Sequence, residues 1–335
     1  MQVHLALPGL LWPARALPDV MFDLELPVLS WLLGRGRRRR SSPLAFEAWL
    51  TQGFGHDAVP AAALRLLGEP GDGGQPGNVD WICADPAHLA FDHGHPRLAD
   101  PARLDLQPGE IAEIAVALAP TFSAVGRFSL QPSGHGYIEL AAPAAIVVAP
   151  PSTTIGRGAE ALLPRGADAA RWVRLANDAQ LALHGLECNR RREDEGRPTI
   201  NTLWLWGAGR LPAATRAPYQ IVGGGGTLAR GLARHAGVPW QPASAALPET
   251  GRTLLIDERL LAPAQQFDAA AWRDAMLAVE RERLAPLAAA LRGGRLQALR
   301  LTGLGEETTL DLELTRGDAL RFWRRPGTLL DAIRP

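Results

Sequence analysis

The sequence predicts an α/β protein, a mixed sheet with flanking helices, and three observations predict it. Short apolar runs rich in Leu, Ile, Val and Trp alternate with stretches whose apolar residues recur every three or four positions. Glycine and proline, 35 and 28 of 335 residues, punctuate the chain between those runs. Near the end, TTLDLELTR alternates strictly beside LQALRLTG, which reads as an antiparallel pair with Leu310, Leu312 and Leu314 inward.

The elements follow in order. The opening MQVHLALPGLLWP reads as a first strand. It lacks a positive start, and Pro8 and Pro13 interrupt it, so Ala14-Arg15-Ala16 is not taken for a leader-cleavage site. Residues 17 to 35 are spaced for a helix through Val20, Leu24, Val28 and Leu32. RGRRRR (Arg35 to Arg40) is expected to be a solvated loop at that helix end, where the dipole favours cations. EPGDGGQPGN, residues 69 to 78, reads as a linker. Strands are expected at 79–91, 126–131 and 136–148, with a helix near 108–119. An amphipathic helix over 168–186 would bury Trp172, Leu175, Ala179 and Leu183. Then come the NTLWLWG strand, four glycines (Gly223 to Gly226) opening a short helix, RTLLIDERLL, and a helix across 269–292. The expected organisation is a mostly helical segment over 1–78, an α+β insert over 79–165, and an α/β region over 166–335 ending in a β-hairpin.

Composition excludes several functions. Formal net charge is zero, so no global field attracts nucleic acid or an anionic membrane. No apolar run reaches the roughly 18 residues that span a bilayer. Two cysteines, Cys83 and Cys188, form no disulfide framework or metal finger, which suits a cytoplasmic setting. All 35 basic residues are arginine. There is therefore no Walker-A lysine, Schiff-base lysine or lysine base. Neither H-E-x-x-H nor G-x-S-x-G occurs.

Three places carry candidate chemistry. DPAHLAFDHGHPRLAD gathers Asp85, His88, Asp92, His93, His95 and Asp100, types that bind Zn²⁺ or Mn²⁺ but that turns also attract for backbone reasons. The Gly223–Gly226 run before a helix could cradle a phosphate on backbone N–H groups. In NTLWLWGAGRLP, Trp204 and Trp206 share one face of a strand and Leu203 and Leu205 the other, so the strand is buried on both faces. Gly207 and Gly209 then mark a turn or a close approach.

Here a resemblance enters. Asn189, Arg192, Gly196, Pro198, Asn201, Trp204, Trp206, Gly207, Gly209 and Pro212 fall on a pattern that resembles archaeal-type cofactor-independent phosphoglycerate mutases. PPSTTIGRG is similar to another motif of that family, with Ser152 and Thr153 where the family has His and Asp. Over nearly the whole chain, DPAHL (Asp85 to Leu89), the tryptophan segment and FWRRP (Phe322 to Pro326) resemble bacterial regulatory proteins of the RpfE type. The resemblance implies a reduced alkaline-phosphatase/phosphoglycerate-mutase-like core with an α+β insert.

It also implies a chemistry to look for. Those mutases phosphorylate a serine transiently between two Mn²⁺-class ions. They need an early Asp-Gly, a serine in a tight turn, and late Asp and His ligands. This chain opens without Asp-Gly, and its last histidine is His235. The expectation is a non-catalytic regulatory or ligand-sensing relative with no catalytic residue, resident metal or cofactor. Its ligand residues would be Asn189, Arg192, Asn201, Trp204, Trp206, Gly207, Gly209, Asp85 and His88, and its partner an anionic small molecule or a protein. Asn201 and Arg192 are equally suited to satisfying backbone groups around the strand. One alternative is a metal-dependent mutase or phosphomonoester hydrolase with ligands rebuilt from Asp85, His88, Asp92, His93, His95 and Asp257. A second is a protein-interaction module using RGRRRR and FWRRP.

Overall fold

A computed structural model of the chain describes residues 1–57, 60–71, 74–92, 95–99, 101–156, 163–244 and 250–333. Among them the strands in chain order begin with β1 (Gln2–Leu11), β2 (Arg37–Ser41), β3 (Asp80–Ala87) and β4 (Leu89–Asp92). Then come β5 (His95–Leu98), β6 (Gly126–Leu130), β7 (Gly136–Leu140) and the tryptophan strand β8 (Thr202–Arg210). The last are β9 (Ile221–Gly224), β10 (Trp240–Gln241), β11 (Arg252–Ile256), β12 (Ala298–Gly305) and β13 (Thr309–Thr315).

Packing divides the chain into Met1–Phe54 with Arg216–Pro335, and Gly55–Thr215. The second unit is inserted whole into the first, so its boundaries differ from the compositional ones at 78 and 165. Of the stretch read as a linker, Gly74 and Pro76 are tied into the inserted unit. Gly74 N–H donates to Leu66 O at 2.8 Å, and the Trp81 indole donates to Pro76 O at 2.8 Å.

The first unit is built on a seven-stranded sheet in the order β10-β9-β11-β1-β12-β13-β2. The five strands from β10 to β12 are parallel, and β13 and β2 continue the sheet antiparallel. On one face, Val3, Leu5, Leu7, Leu255, Leu299, Leu301 and the expected Leu310, Leu312 and Leu314 form the core. The Pro27–Arg35, Ala269–Val279 and Ala285–Arg292 helices supply Leu29, Leu32, Trp272, Met276, Leu287 and Leu291 to it. A π-helical turn, Glu280–Leu284, joins the last two helices just before Pro286, which has no N–H for a regular turn.

RGRRRR differs from its expectation. Arg37 to Ser41 form an exposed edge strand, not a loop, paired antiparallel with β13 in the register Leu312↔Arg38 and Leu310↔Arg40. The alternating β13 leaves an edge that any backbone can pair, and an edge strand keeps arginines solvated on both faces.

The inserted unit holds an antiparallel sheet in the order β6-β7-β3-β8 and a separate β4–β5 hairpin. Ile82, Ala84, Leu203 and Leu205 pack with the Pro108–Phe122 and Ala169–His184 helices through Ile114, Leu118, Phe122, Trp172 and Leu183. The opposite face, with Cys83, Asp85, Trp204 and Trp206, lies against the short Ala61–Leu67 helix. Among the described residues no helix is long and apolar enough to cross a membrane.

Candidate functional site

The tryptophan strand is buried on both faces, as its alternation predicts. Its Gly-x-Gly does not end it. β8 runs on to Arg210, and its pairing shifts from Cys83↔Trp206 to Trp81↔Gly209, which inserts one extra residue as a bulge. Gly207 has φ 64°, and a Cβ there would lie 2.7 Å from the Ala61 Cβ; at Gly209 it would lie 2.9 Å from the Pro60 Cβ. The close approach is thus to the start of a helix of the same unit.

Beside the strand lies a buried polar network that sequence reasoning missed. Arg65 forms a two-pronged ion pair with Asp85, at 2.7 and 2.6 Å, between the Tyr137 and Trp206 rings. Trp206 Nε1–H and Gly136 N–H also donate to Asp85, at 2.8 and 3.1 Å. Burial alone would raise the Asp85 carboxyl, but the Arg65 charge and these hydrogen bonds hold it below the usual range. Tyr137 donates to Glu69, which also meets His135 at 2.8 Å.

The other expected ligand residues are engaged by backbone. Asn189 accepts from Ile200 N–H and donates to Leu183 O and Ile200 O. Asn201 exchanges a reciprocal pair with the Leu89 backbone. Arg192 is fully buried, pairs with Glu110 at 2.6 Å, and donates to Leu104 O and Pro198 O. His88 Nδ1 donates to Thr199 O at 2.7 Å. These residues tie β8 to its neighbours. His93 and Asp100 lie outside the described residues, as do the side chains of Asp92 and His95. Among the described residues no three His, Cys, Asp or Glu side chains converge as metal ligands.

A different arrangement occupies the carboxyl ends of the parallel strands in the first unit. The connection from β9 leads outward to β10, whereas that from β11 leads past β1 to β12. Such a divergence is where open α/β sheets receive ligands. β9 delivers Gly224, Gly225 and Gly226 at positive φ, and Gly225 starts the Gly226–His235 helix with no side-chain cap among the described residues, an arrangement whose first-turn N–H groups suit an anion. β11 delivers Asp257, Glu258 and Arg259. The Asp257 carboxylate is bound by Arg259 through both Nε and Nη2, at 2.9 and 2.7 Å, and by Arg283 from the π-helical turn at 3.0 Å. Burial opposes ionisation of Asp257, and these guanidinium bonds reverse the effect.

Glu258, next to Asp257, differs from it. Among the described residues its carboxyl makes no hydrogen bond. Burial, with the neighbouring Glu47 and Asp257 carboxylates, pushes it up to about 7. A Cβ on Gly226 would lie 3.8 Å from its Oε2, so the acid faces the glycine turn at the helix start. Sequence gave Glu258 no signal beyond its place after an apolar strand. At the end of β1, Gly9 packs on Leu260–Leu261, and its carbonyl accepts the Trp272 indole N–H at 2.8 Å.

A second polar chain crosses the same sheet. Thr302 donates to Asp311 at 2.5 Å, so it accepts from His4 Nε2–H at 2.8 Å, which leaves His4 Nδ1 to accept from Tyr219 at 2.7 Å. Burial first, and Arg300 second, lower His4 to about 3 against the opposing Asp311.

No protein-family model matches the chain. Over 67 residues it is 39% identical to a probable 2,3-bisphosphoglycerate-independent phosphoglycerate mutase of Geobacter sulfurreducens, covering 20% of this chain and 17% of that one. Over 163 residues it is 28% identical to 2,3-bisphosphoglycerate-independent phosphoglycerate mutase 2 of Methanothermobacter thermautotrophicus, 46% of this chain and 37% of that one. The matches therefore span well under half of either relative's length. Among solved structures, the PH0037 protein from Pyrococcus horikoshii aligns with a TM-score of 0.51 at 15% identity, over 98% of this chain and 91% of that one. A cofactor-independent phosphoglycerate mutase from Thermoplasma acidophilum aligns over 99% and 94%, with a TM-score of 0.44 at 17% identity. The likeness to PH0037 concerns the fold, a mixed sheet with flanking helices. The sequence matches establish a distant similarity to cofactor-independent phosphoglycerate mutases.

Proposed function

We propose that this chain is a non-catalytic, ligand-sensing relative of those mutases, receiving a small phosphorylated anion at the carboxyl ends of β9 and β11 without transferring its phosphoryl group. The observation that carries the reading is the state of Asp257. The acid at the end of a central parallel strand is bound by two guanidinium groups, where a metal-dependent enzyme needs its oxygens free. Near the end of β1, in the early part of the chain where the resemblance implies an Asp-Gly, Gly9 packs against Leu260 and its carbonyl is taken by the Trp272 indole. These residues do not fit a two-metal centre, and no step through one is derived. Of the alternative ligand set, Asp85 is paired with Arg65, and His88 donates Nδ1–H to Thr199 O, which leaves its Nε2 outside any three-ligand group among the described residues.

The same geometry supports anion capture. The uncapped turn supplies N–H donors, and Glu258 adds a proton donor when neutral. Affinity for a phosphorylated anion is therefore expected to rise as pH falls through about 7. The gain would approach about tenfold per pH unit above that point, and Glu258→Gln should flatten it. Calorimetric titration of 3-phosphoglycerate at several pH values checks this.

Phosphorus NMR of 3-phosphoglycerate with the protein and excess Mn²⁺ tests the non-catalytic part. After the Mn²⁺ is chelated, the expected spectrum shows the 3-phosphoglycerate line and no 2-phosphoglycerate. Appearance of 2-phosphoglycerate would refute the reading.

A further inference from the structure

RGRRRR and FWRRP, which the reading above leaves unused, converge in the fold. β2 carries Arg37, Arg38, Arg39 and Arg40 exposed along the outer edge of the seven-stranded sheet. β13 runs through the short Arg316–Ala319 helix into Leu320, Phe322 and Trp323, which are 61%, 83% and 67% exposed. That segment is seated on the end of the Pro27–Arg35 helix, which leads into β2. Gly327 N–H donates to Ser30 O at 2.9 Å, and a Cβ on Gly34 would meet the Arg325 carbonyl oxygen. Arg37 lies close enough to Asp318 to act on it alongside Arg321, which pairs with that carboxylate at 2.9 Å.

The surface offers three things at once. Alternate residues of an edge strand turn their N–H and C=O groups away from the sheet, and among the described residues nothing pairs with the outer side of β2. Among them, too, Arg37, Arg38 and Arg39 carry no salt bridge. An exposed aromatic pair lies on the segment that meets the chain at Arg35, just before this strand, with Phe322 edge-on to Trp323, ring centres 5.2 Å apart, and Arg324 donating to Arg35 O. A second copy pairing edge to edge would set arginine against arginine, which is unfavourable. A single-stranded nucleic acid would use the charge and the rings but leave the open backbone row unpaired.

We propose that β2 is a docking edge for an extended acidic segment of a partner protein. It adds as a strand outside β2, sets carboxylates against Arg37–Arg40, and rests an apolar side chain on Phe322 and Trp323.

The test is fluorescence anisotropy with the full chain and a labelled peptide of about eight residues, consecutive Glu with one Val near an end so that both faces carry carboxylates, the length of an ordinary strand. Binding is expected to weaken as salt is raised. It should fall about tenfold or more in the Arg37→Ala/Arg38→Ala/Arg39→Ala variant, since several exposed ion pairs are lost together. Trp323→Ala should weaken it as well. Because a strand pairs through alternate residues, N-methylation of one alternating set of peptide nitrogens should abolish binding and methylation of the other should spare it. Equal binding of both methylated peptides would overturn strand addition. Parent-like binding by the triple variant, or no binding of the peptide at all, would overturn the docking edge. A thymidine oligomer of equal charge binding as tightly would overturn the choice of partner.

Discussion

The tryptophan strand and the β9–β11 ends are both glycine-marked and both polar, yet they differ in how their polar groups are met. Around β8, Asp85, Asn189, Arg192 and Asn201 have their hydrogen bonds answered by protein, although the buried Trp204 indole N–H has no partner among the described residues. At the ends of β9 and β11, among the described residues, a helix start with no side-chain cap faces a carboxyl with no hydrogen bond. A satisfied buried network specifies structure, whereas an unsatisfied group at a sheet's ligand-receiving end is free to respond to something else. A motif shared with an enzyme can therefore persist as architecture while the responsive chemistry sits in residues that no motif marks.

The largest test of that contrast is Arg65→Ala. It leaves the Asp85 carboxylate buried without its partner and should cost about 3–5 kcal/mol in urea unfolding. Arg39→Ala on the exposed edge should stay within about 0.5 kcal/mol. A small effect at Arg65 would remove the structural reading of the β8 network.

Acid should come next, through His4. Its folded value of about 3 lies below the ordinary 6.5, so between those values the unfolded chain binds a proton that the folded chain refuses. The stability this represents is complete above pH 6.5 and is lost as pH falls, by up to ~1.4 kcal/mol per pH unit. Unfolding free energies at pH 7 and pH 5 should separate accordingly, and His4→Gln should narrow the gap. An unchanged gap would place the acid sensitivity elsewhere.

Glu258→Gln is the smallest. The Glu258 carboxyl titrates near 7 in the folded protein and at 4.5 ordinarily, so the folded chain holds the extra proton in that window. Stability from this group is present at acid pH and declines as pH rises through 7. A shift of that size corresponds to at most about 3 kcal/mol. Because Glu258 is partly exposed, solvent screens it, so the Gln variant should gain about 1 kcal/mol on the parent between pH 5 and pH 8, read from thermal melts. Equal melts at both values would mean that Glu258 is solvated and not poised.

Much of the fold was legible because it is written in local periodicity. The β12–β13 hairpin, the double-sided burial of Trp204 and Leu205, and the Ala169–His184 helix follow from alternation and 3.6-residue spacing. The Gly-x-Gly was legible as a close approach, though its neighbours Pro60 and Ala61 were not, being some 145 residues earlier in the sequence. β2 was missed because its strand character comes from an edge offered by β13, over 260 residues later. Glycine content at 69–78 reads as a linker, while Gly74 and Pro76 within it bond to Leu66 and Trp81 of the inserted unit, partners that composition does not show. Arg65 and Glu258 were invisible for one shared reason. Each acquires its role from partners brought by the fold, Tyr137 and Trp206 in one case and Glu47 and Gly226 in the other.

Amide hydrogen exchange with and without saturating 3-phosphoglycerate decides between the two regions most directly. Protection gained at 223–228 and 257–259, with 201–209 unchanged, is the predicted result. Protection appearing at 189–209 instead, or at neither place, would contradict it.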